Sequence, residues 1–244
     1  MQQDTLITGV SPEVCLGRLH LGCGLATPEG WIHLDGSLGA WLAKHPLLKR
    51  LARLLRLAPR AQFDVPWNTN IVVHDVRKRL PFPDASMAAI YSSHLLEHLY
   101  LDEAERLLAE CRRVLAPGGV LRLVVPDLRA LVREYLEGVT LAGSEDAADL
   151  SPADRLNSQM LLRVPRLPKR SLLYRWYSAN EFHTHKWMYD AESLIIHVRR
   201  AGFEEVDERP LHDSRIDGIE HVESPGRVSG GAGVCIEGIR PRGR

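Results

Sequence analysis

The chain has 244 residues, 45% of them hydrophobic and 25% charged, which describes a folded globular protein and excludes a low-complexity or disordered one. Lys plus Arg and Asp plus Glu number 31 each, so no global field selects nucleic acid or membrane, and any basic preference must be local. No apolar run approaches the roughly 20 residues that span a bilayer. The first residues, Met1-Gln2-Gln3-Asp4-Thr5, lack a basic and apolar leader, and Cys15, Cys23, Cys111 and Cys235 form no C-x-x-C pair, so a cytoplasmic protein with reduced thiols is expected.

Arg18 to Leu21 reads as a short strand running into Gly22-Cys23-Gly24. Trp31 to Leu34 is a second strand ending at Asp35-Gly36, and Pro28 and Gly30 leave little room for a long helix between them. Residues 41–60 form a basic amphipathic helix or helix pair. Leu47, Leu51, Leu54, Leu55 and Ala58 recur at helical spacing, Lys44, Lys49, Arg50, Arg53, Arg56 and Arg60 fill much of the rest, and there is no acid. Three readings stand for it: a lid packing its leucines on the core, a helix lying on the inner membrane face, or a patch for an anionic acceptor.

Ile71 to His74 is a β-branched third strand stopped by Asp75, Pro81 to Asp84 a turn, and Ala88 to Tyr91 a fourth strand. Leu101 to Val114 is a helix, with Asp102 as N-cap and Glu105 three residues on. Pro117-Gly118-Gly119 ends it, and Val120 to Val125 is a fifth strand. Leu128 to Leu136 is helical. Residues 137–180 read as irregular and carry a second basic cluster, Arg163, Arg166, Lys169, Arg170 and Arg175. Ala191 to Ala201 is a helix closed by Gly202, and Phe203 to Glu208 and Gly233 to Ile239 are the last strands. Strand–helix alternation predicts an α/β fold, a mostly parallel sheet with helices on both faces. The simplest organisation is a single domain over 1–244 with lid segments inserted at about 37–67 and 137–180.

Two glycines after a strand let a ligand approach the backbone, and an acid at the end of the next strand can accept ribose hydroxyls; Gly22, Gly24 and Asp35 fit that pattern. Thr27 stands where a dinucleotide fingerprint has its third glycine, which argues against a nicotinamide or flavin oxidoreductase, and no P-loop is present. Asp75 ends the third strand, where it could accept an adenine amine, and Ser92, Ser93 and His94 follow the fourth strand at the edge where ligands of such sheets bind.

The run Leu21-Gly22-Cys23-Gly24 with Gly30-Trp31 and Asp35 resembles the first motif of class I S-adenosylmethionine-dependent methyltransferases, in the subgroup reading L-G-C-G, spacer, P-G-W-x-x-x-D, with Glu29 in place of the proline. His74-Asp75-Val76-Arg77 followed by Leu80 to Asp84 resembles the family's adenine-binding segment. Tyr91-Ser92-Ser93-His94-Leu95-Leu96-Glu97-His98-Leu99 resembles its S-S-H-x-L-E-H-L motif, and Arg113 to Gly119 its R-V-L-x-P-G-G turn. The resemblance spans 19–127 in order and extends more weakly to His185-Lys186-Trp187-Met188-Tyr189-Asp190. One departure is that Gly24 and Asp35 stand only eleven positions apart, so the first helix must be short or absent.

The resemblance implies a Rossmann-like sheet with a late antiparallel strand, and S-adenosylmethionine as cofactor with S-adenosylhomocysteine as product. It implies a cofactor site of Gly22, Cys23, Gly24, Asp35, Gly36, His74, Asp75, Val76, Ser93 and His94. A hydroxyl acceptor needs a general base, for which His185 is favoured, with His98 as a second candidate and Tyr189 as base or orienting group. His183 and His185 form an H-x-H pair without an obvious third ligand, so no metal is expected. The expected partner is a small-molecule or glycan acceptor, not nucleic acid. A non-catalytic cofactor-binding scaffold and a protein or peptide methyltransferase stay open as alternatives.

Overall fold

The computed structural model describes residues 16–55, 63–138, 151–161, 184–228 and 233–243. Seven strands form one sheet: β1 Gly17–Leu21, β2 Ile32–Asp35, β3 Val72–Val73, β4 Met87–Ser93, β5 Leu115–Val125, β6 Glu204–Glu208 and β7 Val234–Ile239. Their spatial order is β3-β2-β1-β4-β5-β7-β6. β1 to β5 pair in parallel, and β7 runs antiparallel between β5 and β6. This is a Rossmann-like sheet with the expected late antiparallel strand.

Side chains alternate across the sheet with the two-residue period of a strand. Leu19, Leu21, Ile90, Leu121 and Leu123 face one core, which α3 (Leu101–Val114) covers with Ala104, Leu107, Leu108 and Cys111, and α6 (Ala191–Arg200) covers with Leu194 and Val198. Trp31, Ala89, Tyr91 and Val124 face the other side, against Ile216, Ile219 and Val222 of a segment with a short helical turn at Ile219–His221. Arg122, fully buried on β5, donates to Glu223 at 2.8 Å through Nε and through Nη2 and to Glu237 at 3.0 Å, and the carbonyls of Asp213 and Pro210 take its remaining protons. That network anchors the 209–228 segment to the sheet.

Several local features differ from the sequence reading. α3 is capped at Tyr100, whose backbone N–H donates to Glu103 at 3.0 Å, whereas Asp102 pairs with Arg106 in the first turn. Pro117-Gly118-Gly119 does not end that helix but lies inside β5, where the register against β4 shifts. Gly118 has φ +81°, and a Cβ on Gly119 would meet the Ala116 and Ala88 carbonyl oxygens at 2.9 and 3.0 Å, so the bulge requires both glycines. The irregular stretch 137–180 contains α5 (Pro152–Gln159), which Ser151 caps, and Gln159 reaches Glu134 of α4 (Leu128–Glu137) at 3.0 Å.

The basic stretch after β2 is a helix pair, α1 (Leu38–Lys44) and α2 (Pro46–Leu54), divided where Pro46 opens the second helix. α2 buries none of its residues, and Leu47 and Leu54 are 81% and 77% exposed, so its leucines do not pack on the core as a lid would. Arg56, Ala58, Arg60, His183 and the second basic cluster lie outside the described residues. Among the described residues no helix is long and apolar enough to cross a membrane.

Candidate functional site

The chain leaves β1 toward β2 and β3, then crosses back to β4 on the other flank, so the sheet order reverses between β1 and β4. Ligands of open α/β sheets bind outside the carboxyl ends of the strands at such a point. Here that edge carries Gly22 after β1, Asp35 at the end of β2, His74 after β3 and Ser93 at the end of β4.

Gly22 and Gly24 have φ +64° and +55°, which only glycine adopts freely. A Cβ on Gly22 would also strike the Leu95 side chain at 3.1 Å, so the turn after β1 lies directly against the segment after β4. Nothing lies within 4 Å of a Cβ built on Gly24, which leaves its backbone open on that side. Buried Asp35 holds the turn in place. One carboxylate oxygen accepts the Gly24 N–H at 2.9 Å and the other the Ser37 N–H at 2.8 Å, ahead of α1. Cys23 turns its thiol inward against Ala40 and Ile71, and burial together with the Asp35 charge pushes that thiol up to about 12, leaving only its backbone on the turn. A Cβ on Gly36 would come within 2.9 Å of the His74 carbonyl oxygen, so the ends of β2 and β3 close tightly on each other.

At the end of β3, His74 spends its Nε2 on the Arg79 carbonyl at 3.0 Å. Arg77 grips the Asp75 carboxylate with Nε at 2.9 Å and Nη2 at 2.8 Å, and adds its backbone N–H at 3.0 Å. The Arg77 guanidinium holds the Asp75 carboxyl below the usual carboxylate range. Val76 is buried beside it. A ligand amine at Asp75 has to share the carboxylate with this Arg77 clamp.

At the end of β4, Ser92 Oγ donates to the Leu21 carbonyl at 3.3 Å, and Ser93 is buried on the same side of the strand as Tyr91. His94 has φ +52°, a strained conformation for a residue with a side chain. Its N–H bonds the Val124 carbonyl at 2.9 Å, its Nε2 lies 3.2 Å from the Arg227 carbonyl, and its Nδ1 lies 3.3 Å from a Glu97 carboxylate oxygen. Glu97 is the middle residue of the helical turn Leu96–His98 and is completely buried; its carbonyl accepts the Lys186 N–H at 2.7 Å. His98 Nδ1 meets the Thr184 carbonyl at 3.2 Å, and the His98 and His185 rings stand edge to face at 4.9 Å. Burial pulls the His185 imidazole below its ordinary range, with the Glu97 charge opposing.

The structure brings His185 and His98, two separate base candidates in the sequence, together around Glu97, a residue that the sequence pattern did not place in the site. Tyr189 is different. It is 1% exposed in the core beneath α6, and burial, with the charges of Glu97 and Glu105, drives its phenol far above the usual range, which makes it a poor base.

Residues 19–123, which hold all of these elements except the 184–189 segment, match the family described as Methyltransferase domain. The chain carries a methyltransferase domain. Its cofactor is S-adenosylmethionine. No curated protein matches the chain in sequence. Similar solved structures include an S-adenosylmethionine-dependent methyltransferase from Thermotoga maritima, 20% identical with a TM-score of 0.43 over 92% of this chain and 81% of that one. One from Mesorhizobium loti is 18% identical with a TM-score of 0.42 over 94% of each chain. A Haloferax volcanii chain from a complex with the Trm112 methyltransferase activator is 16% identical with a TM-score of 0.45, over 93% of this chain and 83% of that one.

The residues at the carboxyl edge suit a cofactor of this kind. The methyltransferase offers an uncovered backbone at Gly24, in a turn that Asp35 holds beside the β1–β4 crevice.

Proposed function

We propose that this methyltransferase acts on an oxygen of a small-molecule, sugar or glycan acceptor. We assign cofactor binding to the turn Gly22–Gly24, to Asp35 and Gly36, to the His74–Val76 segment, and to Ser93 and His94. Bound there, the cofactor supplies an electrophilic methyl group on a sulfonium. The chain's own part is to fix the acceptor oxygen behind that carbon and to dispose of the hydroxyl proton as the new C–O bond forms.

The observation that carries the reading is the meeting of His185 with Glu97 and His98 of the segment after β4, the same segment that packs through Leu95 against Gly22. Imidazole nitrogens beside a carboxylate suit a hydroxyl nucleophile, which must shed a proton. Asp35 contributes by holding the Gly24 turn rigid, so that backbone groups are presented without reorganisation.

The test has two stages. Calorimetric titration with S-adenosylhomocysteine should give saturable binding that weakens in Asp75→Ala, and NAD should not bind. Turnover with labelled S-adenosylmethionine should then place the label on an oxygen of nucleotide sugars, glycans or small hydroxylated acceptors. Absence of homocysteine-adduct binding by folded protein defeats the reading, and label found only on peptide nitrogen or carboxylate redirects it to protein methylation.

A further inference from the structure

Glu97 is fully buried; among the described residues neither of its carboxylate oxygens makes a hydrogen bond, and His94 Nδ1 lies 3.3 Å from one of them. An ionised carboxylate in that position is costly unless a cation compensates it. The His185 Nδ1 is also buried and unpartnered, although a hydrogen bond with the Met160 backbone holds the ring. His98 gives its Nδ1 to the Thr184 carbonyl, which leaves Nε2 as its available nitrogen. One donor atom from each of Glu97, His98 and His185 lies within 4.8 Å of the others.

We propose that Glu97, His98 and His185 form a binding site for a first-row divalent cation of the zinc type. Two imidazoles and one carboxylate suit such an ion, and three protein ligands leave a fourth position open. A backbone carbonyl on the far nitrogen of a ligating histidine, as Thr184 provides for His98, fixes the ring's tautomer and direction. Metal–nitrogen bonds of about 2.0–2.1 Å at tetrahedral angles need donor separations of roughly 3.4 Å. The three groups therefore close by no more than about 1.4 Å. Glu97 and His98 share one short helical turn, while His185 is fastened across from it through its N–H to the Leu161 carbonyl at 3.2 Å. The cation neutralises the buried carboxylate and ties the segment beginning at Thr184 to the segment after β4. That the open position receives the acceptor oxygen, in place of a bare imidazole nitrogen, rests on the proposed oxygen methylation; the ion site itself stands on the side-chain cluster.

The experiment uses the full chain without a polyhistidine tag. After chelator treatment and dialysis it is titrated with Zn²⁺ by calorimetry and with Co²⁺ by visible absorption, and metal content is measured by elemental analysis. The expected result is saturable uptake of about one ion per chain, with uptake lost in Glu97→Gln and in His185→Gln. His98→Gln serves if either variant fails to give a cooperative thermal melt. Failure of the wild type to take up either ion, as a neutral protonated Glu97 would produce, overturns the site, as does uptake that persists in the variants. S-adenosylhomocysteine titration of the ion-free protein is read in parallel. Homocysteine-adduct binding without ion uptake removes the ion site and leaves the methyltransferase reading standing, and ion uptake without adduct binding does the reverse.

Discussion

Acid should destabilise the fold through His20. This residue sits on β1 facing away from Leu19 and Leu21, with its ring 5.2 Å from Tyr91 and 5.6 Å from His33. It is 3% exposed and its Nδ1 has no partner. Burial, then the neighbouring His33 and the Arg227 charge, bring its pKa down from 6.5 to about 3. Between those two values the unfolded chain binds a proton that the folded chain refuses. The full contribution to stability is therefore present above pH 6.5 and is lost as pH falls toward 3. At about pH 4.5 the loss is two pH units at ~1.36 kcal/mol each, or ~2.7 kcal/mol. For a chain of this size that corresponds to a fall in Tm of roughly 5–11 °C. Urea unfolding of wild type and His20→Gln at neutral pH and at about pH 4.5 isolates this group, because the other titrating residues are common to both. The wild-type advantage should shrink by ~2.7 kcal/mol on acidification. A gap that does not change with pH would refute the account.

Other consequences follow from the same contacts. Gly36→Ala places a methyl group 2.9 Å from the His74 carbonyl oxygen, and since backbone cannot move aside cheaply, stability should fall by about 1–3 kcal/mol and S-adenosylhomocysteine affinity about tenfold or more. Unchanged affinity by calorimetry would mean that the β2–β3 closure does not position the cofactor segment. Arg122→Met leaves Glu223 and Glu237 buried without their main counter-charge and should cost about 3–5 kcal/mol in denaturant unfolding; a loss below about 1 kcal/mol would show that Arg209 and Arg215 compensate. Leu47→Ser and Leu54→Ser on the exposed face of α2 should each change stability by less than about 0.5 kcal/mol, and a larger loss in thermal melts would reveal a covering surface.

Much of the fold was legible because its causes are local. Alternating apolar residues mark β1, β4 and β5, helical spacing marks α3 and α6, and the glycines at 22 and 24 announce a turn that only they can make. Asp35 at the end of β2 is legible for the same reason, since strand end and turn are eleven residues apart. The helix break at Pro46 also follows from one residue's chemistry.

What only the tertiary structure decided is which polar groups lose water together. Glu97 reads in the sequence as one letter of a motif, and its burial depends on chain that returns 86 residues later to bring Thr184 over His98 and His185 beside it. Tyr189 reads as a base candidate because its hydroxyl is titratable, yet the packing of α6 on the sheet seals it in the core. The Asp75 carboxylate reads as free to receive a ligand until the turn folds Arg77 back onto it. Periodicity and turn chemistry are properties of neighbours along the chain. Desolvation, which sets the state of these side chains, is a property of neighbours in space, and those are assembled only when the sheet closes.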